Sequence, residues 1–465
     1  MALTTNSLES TDDKIYSAEE LRAFLRNPPK ELIKEEYGKS SIVISGYTFE
    51  DEYLILDDTV TVNLPLKFEG CTFKSDKLFF IEGLICNKSL TFEGGTISDT
   101  IYFNGGTFKE EVLIKHVHVK NVHLSHCTFS KVSISGYEID EVWMSGTKFE
   151  SLHIGEHLFG DNIRNLILFA KEDETGDIFV NDQGFDKISL YGSNKGKQIS
   201  FSKVRCNNVS ITNFKNEGSL NFYGIEPKDM NNDKRYFQIT NSNLDKVQFY
   251  RALFSRYKEL IIIDSFITDT LFIGCKWSNN IRALNGPEYG TFEDSLKTGR
   301  KTTPKEIVAI KEAYRQLKIS MSKHSDKIQE HKFYSQELNF HNQTLTWGKP
   351  WENQFWDKLI LIWSKAFSDY GQSFIKPLFW LLSGHYLLFI LALLLKGFTP
   401  LHISLCEPTA SGFKESFEKF FIYINPLRRL ETSLSGYLIL LDLSMRIWSS
   451  YMIYNIIRAS RRFIS

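Results

Sequence analysis

Two segments of the chain mix basic and aromatic side chains in the way that binding to a single-stranded nucleic acid requires. Lys and Arg side chains bind phosphates, and aromatic rings stack on the bases of such a ligand. The other interpretation of each segment is a solvated turn, because charged side chains usually lie at the protein surface. The candidate ligand-binding residues are Lys195, Lys197, Lys203 and Arg205 in the first segment and Tyr250, Arg251, Arg256, Tyr257 and Lys258 in the second.

A different chemistry is indicated by charges inside an apolar run near the C-terminus. The run from Leu434 to Ile457 is long enough to span a membrane, but it contains Asp442 and Arg446. Each such charge costs roughly 2.5 to 3.5 kcal/mol near the centre of a spanning helix, so neither should face lipid. On a helical wheel the charges share one stripe with serines, which predicts a water-filled pore in an oligomer. The predicted pore-lining residues are Ser435, Asp442, Arg446 and Ser449.

Simple packing is the alternative interpretation of this stripe. Asp442 and Arg446 lie four residues apart, the spacing at which opposite charges on one helix neutralise each other. A helix–helix interface would then bury the pair without any water-filled pore. The sequence leaves both interpretations open.

Neither catalysis nor metal binding is expected. The chain has no nucleophile elbow, Walker loop or Rossmann glycine pattern, so we expect no enzyme and no cofactor. The six cysteines are far apart and form no CxxC pair, which favours a reduced, cytosolic protein. A run of histidines in predicted strands has donors for a metal ion, but we expect these side chains to pack on successive coils. They are His116, His118, His123 and His126.

Length and charge bound the remaining possibilities. At 465 residues the chain is too long for one compact core, which indicates several domains or an elongated repeat array. Lys and Arg number 55 against 56 for Asp and Glu. With this balance no overall field attracts the chain to nucleic acid or to an anionic bilayer, and the balance also argues against a DNA-mimicking solenoid.

A recurring hexapeptide predicts a mainly β fold, a right-handed β-solenoid over residues 41–290. Each copy reads apolar, polar, Gly or similar, small, Thr or similar, apolar. Such repeats cannot bury their apolar face alone and must stack on their neighbours. The alternative is a β-sandwich whose strands resemble each other by chance. The copies are FEGCTF at Phe68, FEGGTI at Phe92, FNGGTF at Phe103, LSHCTF at Leu124, MSGTKF at Met144 and FIGCKW at Phe272.

Helical segments are predicted before and after the solenoid. Ser17 and Glu20 form the capping-box pattern of a first helix. Beyond residue 303 the apolar period becomes helical, and a Trp-rich segment typical of a membrane surface follows. The predicted domains are an N-terminal helical cap at 1–40, the solenoid sensor domain at 41–290, a helical coupling linker at 291–345, an interfacial juxtamembrane helix at 346–374 and a two-helix transmembrane pore domain at 375–465.

The first predicted span is Pro377 to Leu395, which is 19 residues without a formal charge and matches the thickness of a hydrocarbon core. Between the spans, an amphipathic segment ends at Asn425-Pro426. This segment is interpreted as a pore helix or, equally well, as a helix lying flat on the outer leaflet. No TVGYG-type filter is present, which favours a wide or weakly selective conduit. The residues assigned to the pore helix or outer loop are Phe417, Phe421, Asn425 and Pro426.

Topology and assembly follow from these spans. The N-terminus has neither a basic start nor an apolar run, so we expect the N-terminal domain to remain in the cytosol. Two spans return the C-terminus to the same side, which predicts a two-pass protein of the inner (cytoplasmic) membrane. Two helices cannot enclose a channel alone, so the lipid bilayer and further copies of the chain are the expected partners.

Three stretches carry a resemblance to known proteins. They are EAYRQLK with DKIQEHKFYSQEL, FSDYGQSFIKPLFWLL at the first span, and INPL with MIYNIIRASRRF at the second. The chain resembles bacterial proteins that join a pentapeptide-like β-solenoid to a C-terminal two-transmembrane, ion-channel-like domain. Strict pentapeptide repeats are not kept, which indicates a larger and less regular coil.

Within that group the layout is similar to the membrane effectors of Hailong anti-phage systems. The resemblance implies a tetrameric channel that short single-stranded DNA, made by a partner nucleotidyltransferase, holds closed. It also implies defence against phage by membrane depolarisation. A second hypothesis is a membrane-tethered scaffold or receptor that docks a protein partner on the solenoid.

Overall fold

The chain is described by a computed structural model and forms two compact units, Met1–Lys297 and Thr298–Ser465. Each unit is described by itself below. The residues that the structure describes are 15–36, 38–50, 60–74, 79–137, 139–155, 163–170, 176–232, 235–278, 281–282, 304–394, 410–429 and 436–461.

The first unit is a β-solenoid of about nine turns. Almost all of its strands pair in parallel with the equivalent strand of the next coil, and only β2 and β3 pair antiparallel. The strands are β1 (Ile15–Tyr16), β2 (Ile33–Glu36), β3 (Lys39–Ser45), β4 (Thr48–Phe49), β5 (Thr61–Val62), β6 (Leu66–Glu69), β7 (Thr72–Phe73), β8 (Phe79–Glu82), β9 (Ile85–Cys86), β10 (Leu90–Glu93), β11 (Thr96–Asn104), β12 (Thr107–Ser125), β13 (Thr128–Tyr137), β14 (Ile139–Ser145), β15 (Lys148–Ile154), β16 (Ile163–Ala170), β17 (Asp177–Asn181), β18 (Gly184–Ser193), β19 (Gln198–Ser202), β20 (Arg205–Lys215), β21 (Ser219–Tyr223), β22 (Tyr236–Thr240), β23 (Gln248–Tyr250), β24 (Glu259–Ile263), β25 (Leu271–Ile273) and β26 (Ile281–Arg282).

Stacking in register explains the solenoid. Leu66 pairs with Leu90, Leu90 with Val112 and Val112 with Val132, so one coil takes 20 to 24 residues in this region. Alternate side chains of each strand point inward, and these four are all buried. Parallel pairing from coil to coil excludes the β-sandwich, whose sheets are antiparallel. The predicted β-solenoid is therefore confirmed.

The hexapeptide repeat is a corner of the coil. Its first and last residues, such as Phe68 and Phe73, are buried, and its third residue has a left-handed backbone. Glycine adopts that conformation without strain, and His126 occupies the same position in one copy with φ 51°. At Gly95 a Cβ atom would lie 2.1 Å from the carbonyl oxygen of Cys71, so the small residue is needed for the coils to stack.

Aromatic columns run along the core between coils. The rings of Phe201, Phe222, Phe249 and Phe272 stack in sequence, with centroids 4.9, 4.8 and 5.2 Å apart. Each buried ring excludes water and contacts the ring above and below it, which makes such columns a main source of solenoid stability.

A helix, α1 (Ala18–Arg26), lies near the start of the solenoid. The Ser17 hydroxyl accepts from the Glu20 amide, and the Glu20 carboxylate accepts from the Ser17 amide at 2.7 Å, which is the predicted capping box. Leu21 and Leu25 are buried. The cap therefore covers apolar surface of the solenoid.

The second unit is helical. Its described helices are α2 (Pro304–Lys323), α3 (Lys327–Thr344), α4 (Asn353–Ser368), α5 (Ile375–Leu394), α6 (Ala410–Ile424) and α7 (Tyr437–Arg461). Among the described residues, one helix is long and apolar enough to cross a membrane, through Ile375–Ala392 with mean hydropathy 1.5. A second span is not confirmed, because α7 is one continuous helix but carries Asp442 and Arg446.

Candidate functional site

The helices α5 and α7 pack closely along their length. Indole Nε1 of Trp448 donates to the carbonyl oxygen of Trp380 at 3.0 Å, and Ser449 Oγ lies 3.4 Å from His385 Nδ1. A Cβ atom on Gly384 would come within 2.4 Å of the Trp448 ring, so this glycine allows the close approach. We call α5, α6 and α7 together the hairpin.

Buried polar groups lie inside the hairpin beside a buried apolar cluster, and large apolar side chains cover much of its outer surface. His385, Asp442, Ser449 and Asn455 are buried. The exposed side chains are large and apolar; Phe379 of α5 is 62 % exposed and Leu440 of α7 is 67 % exposed. An outer surface with this many large apolar side chains suits an apolar surrounding.

The most buried charge of the hairpin is Asp442, whose side chain is 1 % exposed. Arg446 Nε donates to one of its carboxylate oxygens at 2.7 Å, and Arg428 donates to the other. The Arg428 guanidinium also lies over the Tyr423 ring, 4.2 Å from its centroid. We call Arg428, Asp442 and Arg446 the charge cluster, in which two cations share one carboxylate.

Sequence reasoning missed Arg428 as a partner of Asp442. A signal was present, because Arg428 and Arg429 lie just after the Asn425-Pro426 stop, separated from it by one residue, between two apolar runs. Charges beside a predicted membrane segment need partners, and the only such acid in the next predicted span is Asp442.

The C-terminal end of α6 packs against the middle of α5. The Phe420 ring lies 5.4 Å from His385 and 5.7 Å from Phe389, and Tyr423 lies 6.1 Å from Phe389. His385 is half-way along α5, so α6 ends beside the centre of the hairpin rather than at its edge.

Guanidinium groups bind the carbonyl oxygens that follow this helix end. Arg428 donates to the carbonyl oxygen of Tyr423, while Arg446 Nη1 donates to those of Arg428 at 2.7 Å and Pro426 at 3.3 Å. Cations at a helix C-terminus are favourable, because the helix dipole is negative there. We call residues 425–429, held in this way, the tip.

The predicted pore residues fall in different places. Phe417 and Phe421 are exposed with rings 4.8 Å apart, and Asn425 at the tip is also exposed. In the single chain Asp442 and Ser449 lie on the buried face of α7, and Arg446 is half-buried beside them. Ser435 lies outside the described residues. A pore lining formed by this stripe stays a prediction.

In the solenoid, the structure brings the two predicted ligand segments together at one corner. The amide of Lys203 donates to the carbonyl oxygen of Tyr223, and that of Arg251 to Ile273 at 2.8 Å, so these cations occupy equivalent left-handed corners of nearby coils. Gly224 takes the corner between them. The exposed ring of Tyr223 stacks on Tyr250 with centroids 4.9 Å apart. The basic corner consists of Lys203, Arg205, Tyr223, Tyr250, Arg251 and Arg256.

Charges in the basic corner are only partly compensated. Arg256 pairs with Glu226, and Lys203 Nζ lies 3.5 Å from Asp182. Within the described part of the chain, the exposed Arg251 side chain makes no ion pair or hydrogen bond. The corner therefore offers a positive surface beside a stacked pair of aromatic rings.

The remaining predicted ligand residues lie elsewhere. Tyr257 is buried, and its hydroxyl donates to the carbonyl oxygen of Cys206 at 3.0 Å. Burial also raises the pKa of Tyr257, as expected for a core residue. Lys258 follows Tyr257, and its backbone amide donates a hydrogen bond to the carbonyl oxygen of Arg235. Lys195 and Lys197 precede β19, at the end of that strand opposite Lys203.

A shallow groove of about 400 Å³ lies beside Lys197. Lys109, Lys148 and Glu150 also line it, so acid and base are mixed there and no aromatic stack is exposed as in the basic corner.

The histidine run does not assemble a metal site in the described residues. No group of three or more His, Cys, Asp or Glu side chains is placed there to share an ion. His123 lies 3.6 Å from Glu141 and between the rings of Tyr102 and Trp143, and His126 Nδ1 lies 2.9 Å from Ser125 Oγ. The contacts of His123 join successive coils, whereas that of His126 is a local hydrogen bond to its sequence neighbour.

Comparisons with known proteins give no relative: no family model, no curated protein and no solved structure matches the chain.

Proposed function

We propose that this chain is a membrane effector that assembles into a gated ion pore under the control of a ligand bound to its solenoid. The observation that carries the proposal is the hairpin, which buries polar and charged side chains, exposes large apolar ones and contains a helix that ends beside its centre. The proposal has three parts, which concern the membrane, the assembly and the ligand.

The first part is insertion into a lipid bilayer. The exposed faces of α5 and α7 carry large apolar side chains such as Leu387 and Ile447, and this surface favours hydrocarbon over water. Before α5, Trp351, Trp356 and Trp363 are exposed near lysines, as is typical of the membrane interface. The proposed location is the inner membrane, with two passes and with the solenoid and C-terminus in the cytoplasm.

The second part is oligomerisation around the tip. Leu427 is 90 % exposed and the backbone of the tip is not helical. Non-helical backbone at membrane depth is tolerated only where protein buries it or where it lines water. Further copies of the chain around a water-filled axis meet this requirement, and the family resemblance favours a tetramer.

The third part is the ligand. The basic corner combines cations with stacked rings, the chemistry that recognises short single-stranded DNA. By resemblance, a partner nucleotidyltransferase supplies that DNA, and its loss opens the pore and depolarises the membrane in defence against phage.

The helices α2 and α3 are suited to transmit a change to the hairpin. Gln372, just before α5, donates to the carbonyl oxygen of His331 at 2.7 Å. Arg458, near the end of α7, lies over the ring of Tyr334 at 5.9 Å. A shift of α3 therefore acts on both membrane helices of the hairpin.

Conductance of the purified full-length chain in planar bilayers tests the pore. We expect ion currents that short single-stranded DNA suppresses, and an oligomer in detergent. A monomer without conductance, with or without DNA, would overturn the proposal.

The ligand part has its own test. Arg251→Glu should weaken DNA binding and reduce its salt dependence, because one phosphate contact becomes repulsive. Lys258→Glu, the matched control outside the basic corner, should bind DNA as the parent does. Equal losses in both variants would assign binding to general charge rather than to the corner.

A membrane-tethered scaffold is the second candidate function. The observation that favours it is that Asp442 finds both of its partners within one chain, so the charge cluster also suits a simple anchor. A scaffold tolerates replacement of Arg428, Asp442 and Arg446 together by Leu, whereas a pore changes its conductance.

A further inference from the structure

The tip and the charge cluster carry more positive than negative charge. The cluster contains two guanidinium groups and one carboxylate, and Arg429 of the tip adds a further cation. Within the described residues, the cluster also contacts the Tyr423 ring of α6, which adds no carboxylate. In sequence the nearest additional acid is Glu431, outside the described residues, and a positive excess remains when it is counted.

We infer that the pore selects small inorganic anions, and that the arginines of the tip and charge cluster determine this selectivity. The inference rests on the proposed function and specifies what passes through the pore. Rings of Arg or Lys make pores anion-selective, whereas rings of Asp or Glu favour cations.

One buried donor of the cluster is unsatisfied. Arg446 Nη2 is buried and has no hydrogen-bond partner among the described residues. An unmade hydrogen bond at a buried charged group is costly, and guanidinium donors form their strongest bonds with anions. The arrangement is therefore ready to accept an anion or a water molecule that accompanies one.

The excess positive charge lies deep within the proposed membrane span, where it has a strong effect on ions. Asp442 and Arg446 lie roughly 8 and 14 Å along α7 from Tyr437, at 1.5 Å per residue. At that depth a net charge is poorly screened by lipid and must face water or a counter-ion. The exposed Arg429 makes no ion pair in the described part of the chain, so in an oligomer we expect it to face the water-filled axis.

Reversal potentials in a KCl gradient across a planar bilayer test the inference with the full-length protein. We expect the parent to reverse near the chloride equilibrium potential. Arg429→Glu should lower the ratio of chloride to potassium permeability roughly tenfold, the factor equivalent to about 1.4 kcal/mol. Arg429 is exposed, so the variant should fold and assemble normally, which its elution volume checks.

The matched control is Lys414→Gln, which removes an exposed cation at the other end of α6. We expect it to keep the parental reversal potential. A parent that reverses at zero or near the potassium potential overturns the anion inference and leaves the pore intact. Absence of any current overturns the pore itself, so the two failures are distinguishable.

Discussion

The solenoid and the hairpin distribute the same residue types in opposite ways. In the solenoid Phe222 is buried in an aromatic column while Asp182 and Lys203 pair at the surface. In the hairpin Phe379 is exposed while Asp442 is buried between two arginines. Because apolar surface avoids water and unpaired polar groups avoid hydrocarbon, the contrast supports the proposal that the hairpin lies in a bilayer.

The two regions also satisfy their backbones differently. Solenoid coils bond to the coils before and after them, so each backbone group has a partner supplied by the repeat itself. The tip has no such neighbour, and Arg428 and Arg446 donate to its carbonyl oxygens instead. Stability is therefore spread over many equivalent residues in the solenoid and concentrated in a few side chains in the hairpin.

The largest expected effect comes from the aromatic column. Phe222→Ala removes a ring between Phe201 and Phe249 and should lower the free energy of unfolding by about 3 to 5 kcal/mol. Denaturant unfolding followed by β-sheet circular dichroism measures it. Phe169→Ala, on the outer face, is the control and should cost clearly less, because its ring is already 38 % exposed. Equal costs would contradict the assignment of the core.

The charge cluster should be almost as sensitive. Asp442→Asn leaves Arg428 and Arg446 without their carboxylate, and breaking such a buried pair costs about 3 kcal/mol. Thermal unfolding in lipid nanodiscs measures the loss. Glu418→Gln changes an exposed acid of α6 and should have no measurable effect. If Asp442→Asn changes the stability as little as Glu418→Gln does, water solvates the charge cluster. The cluster is then not buried as described.

Helix packing gives a smaller effect. Gly384→Ala places a methyl group against the Trp448 ring and should destabilise the hairpin by about 2 kcal/mol through overpacking. Tryptophan fluorescence during unfolding follows the change, with Trp448 as one of the eight tryptophans that contribute to the signal. Ser383→Ala, at the neighbouring half-buried position where the hydroxyl donates only to the Phe379 carbonyl of its own helix, should leave both spectrum and stability unchanged. A stabilised Gly384→Ala would show that α5 and α7 are further apart than described.

The smallest expected effect, for one thiol and a change of one pH unit, is a pH dependence of the solenoid. Burial raises the pKa of the Cys86 and Cys127 thiols to about 12. Because the folded state then holds these protons more tightly than the unfolded state, stability is complete below the ordinary thiol pKa and falls as pH rises towards 12. The loss is about 1.4 kcal/mol for each thiol and pH unit.

Unfolding midpoints between neutral and alkaline pH measure this slope. A variant with Cys86→Ala and Cys127→Ala should show a shallower slope than the parent. An unchanged slope would mean that other alkaline titrations dominate.

Several features were predictable because local spacing encodes them. The hexapeptide repeat marks corners that need a left-handed residue, and Ser17 with Glu20 marks a helix start. The polar stripe on α7 was also predictable from helical periodicity. The surface that the polar stripe packs against was not predictable. Helical periodicity defines which residues share a face, but not which element lies next to that face.

The sequence by itself determined the repeat architecture, the first apolar helix and the basic and aromatic residues of the proposed ligand site. Only the tertiary structure decided that Lys203 and Arg251 share a corner while Tyr257 enters the core, and that Arg428 completes the partners of Asp442. The physical reason is the separation along the sequence over which each kind of interaction acts. Propensity and periodicity act between near neighbours in the chain, whereas stacked coils and packed helices join residues far apart in sequence, whose pairing depends on the whole fold.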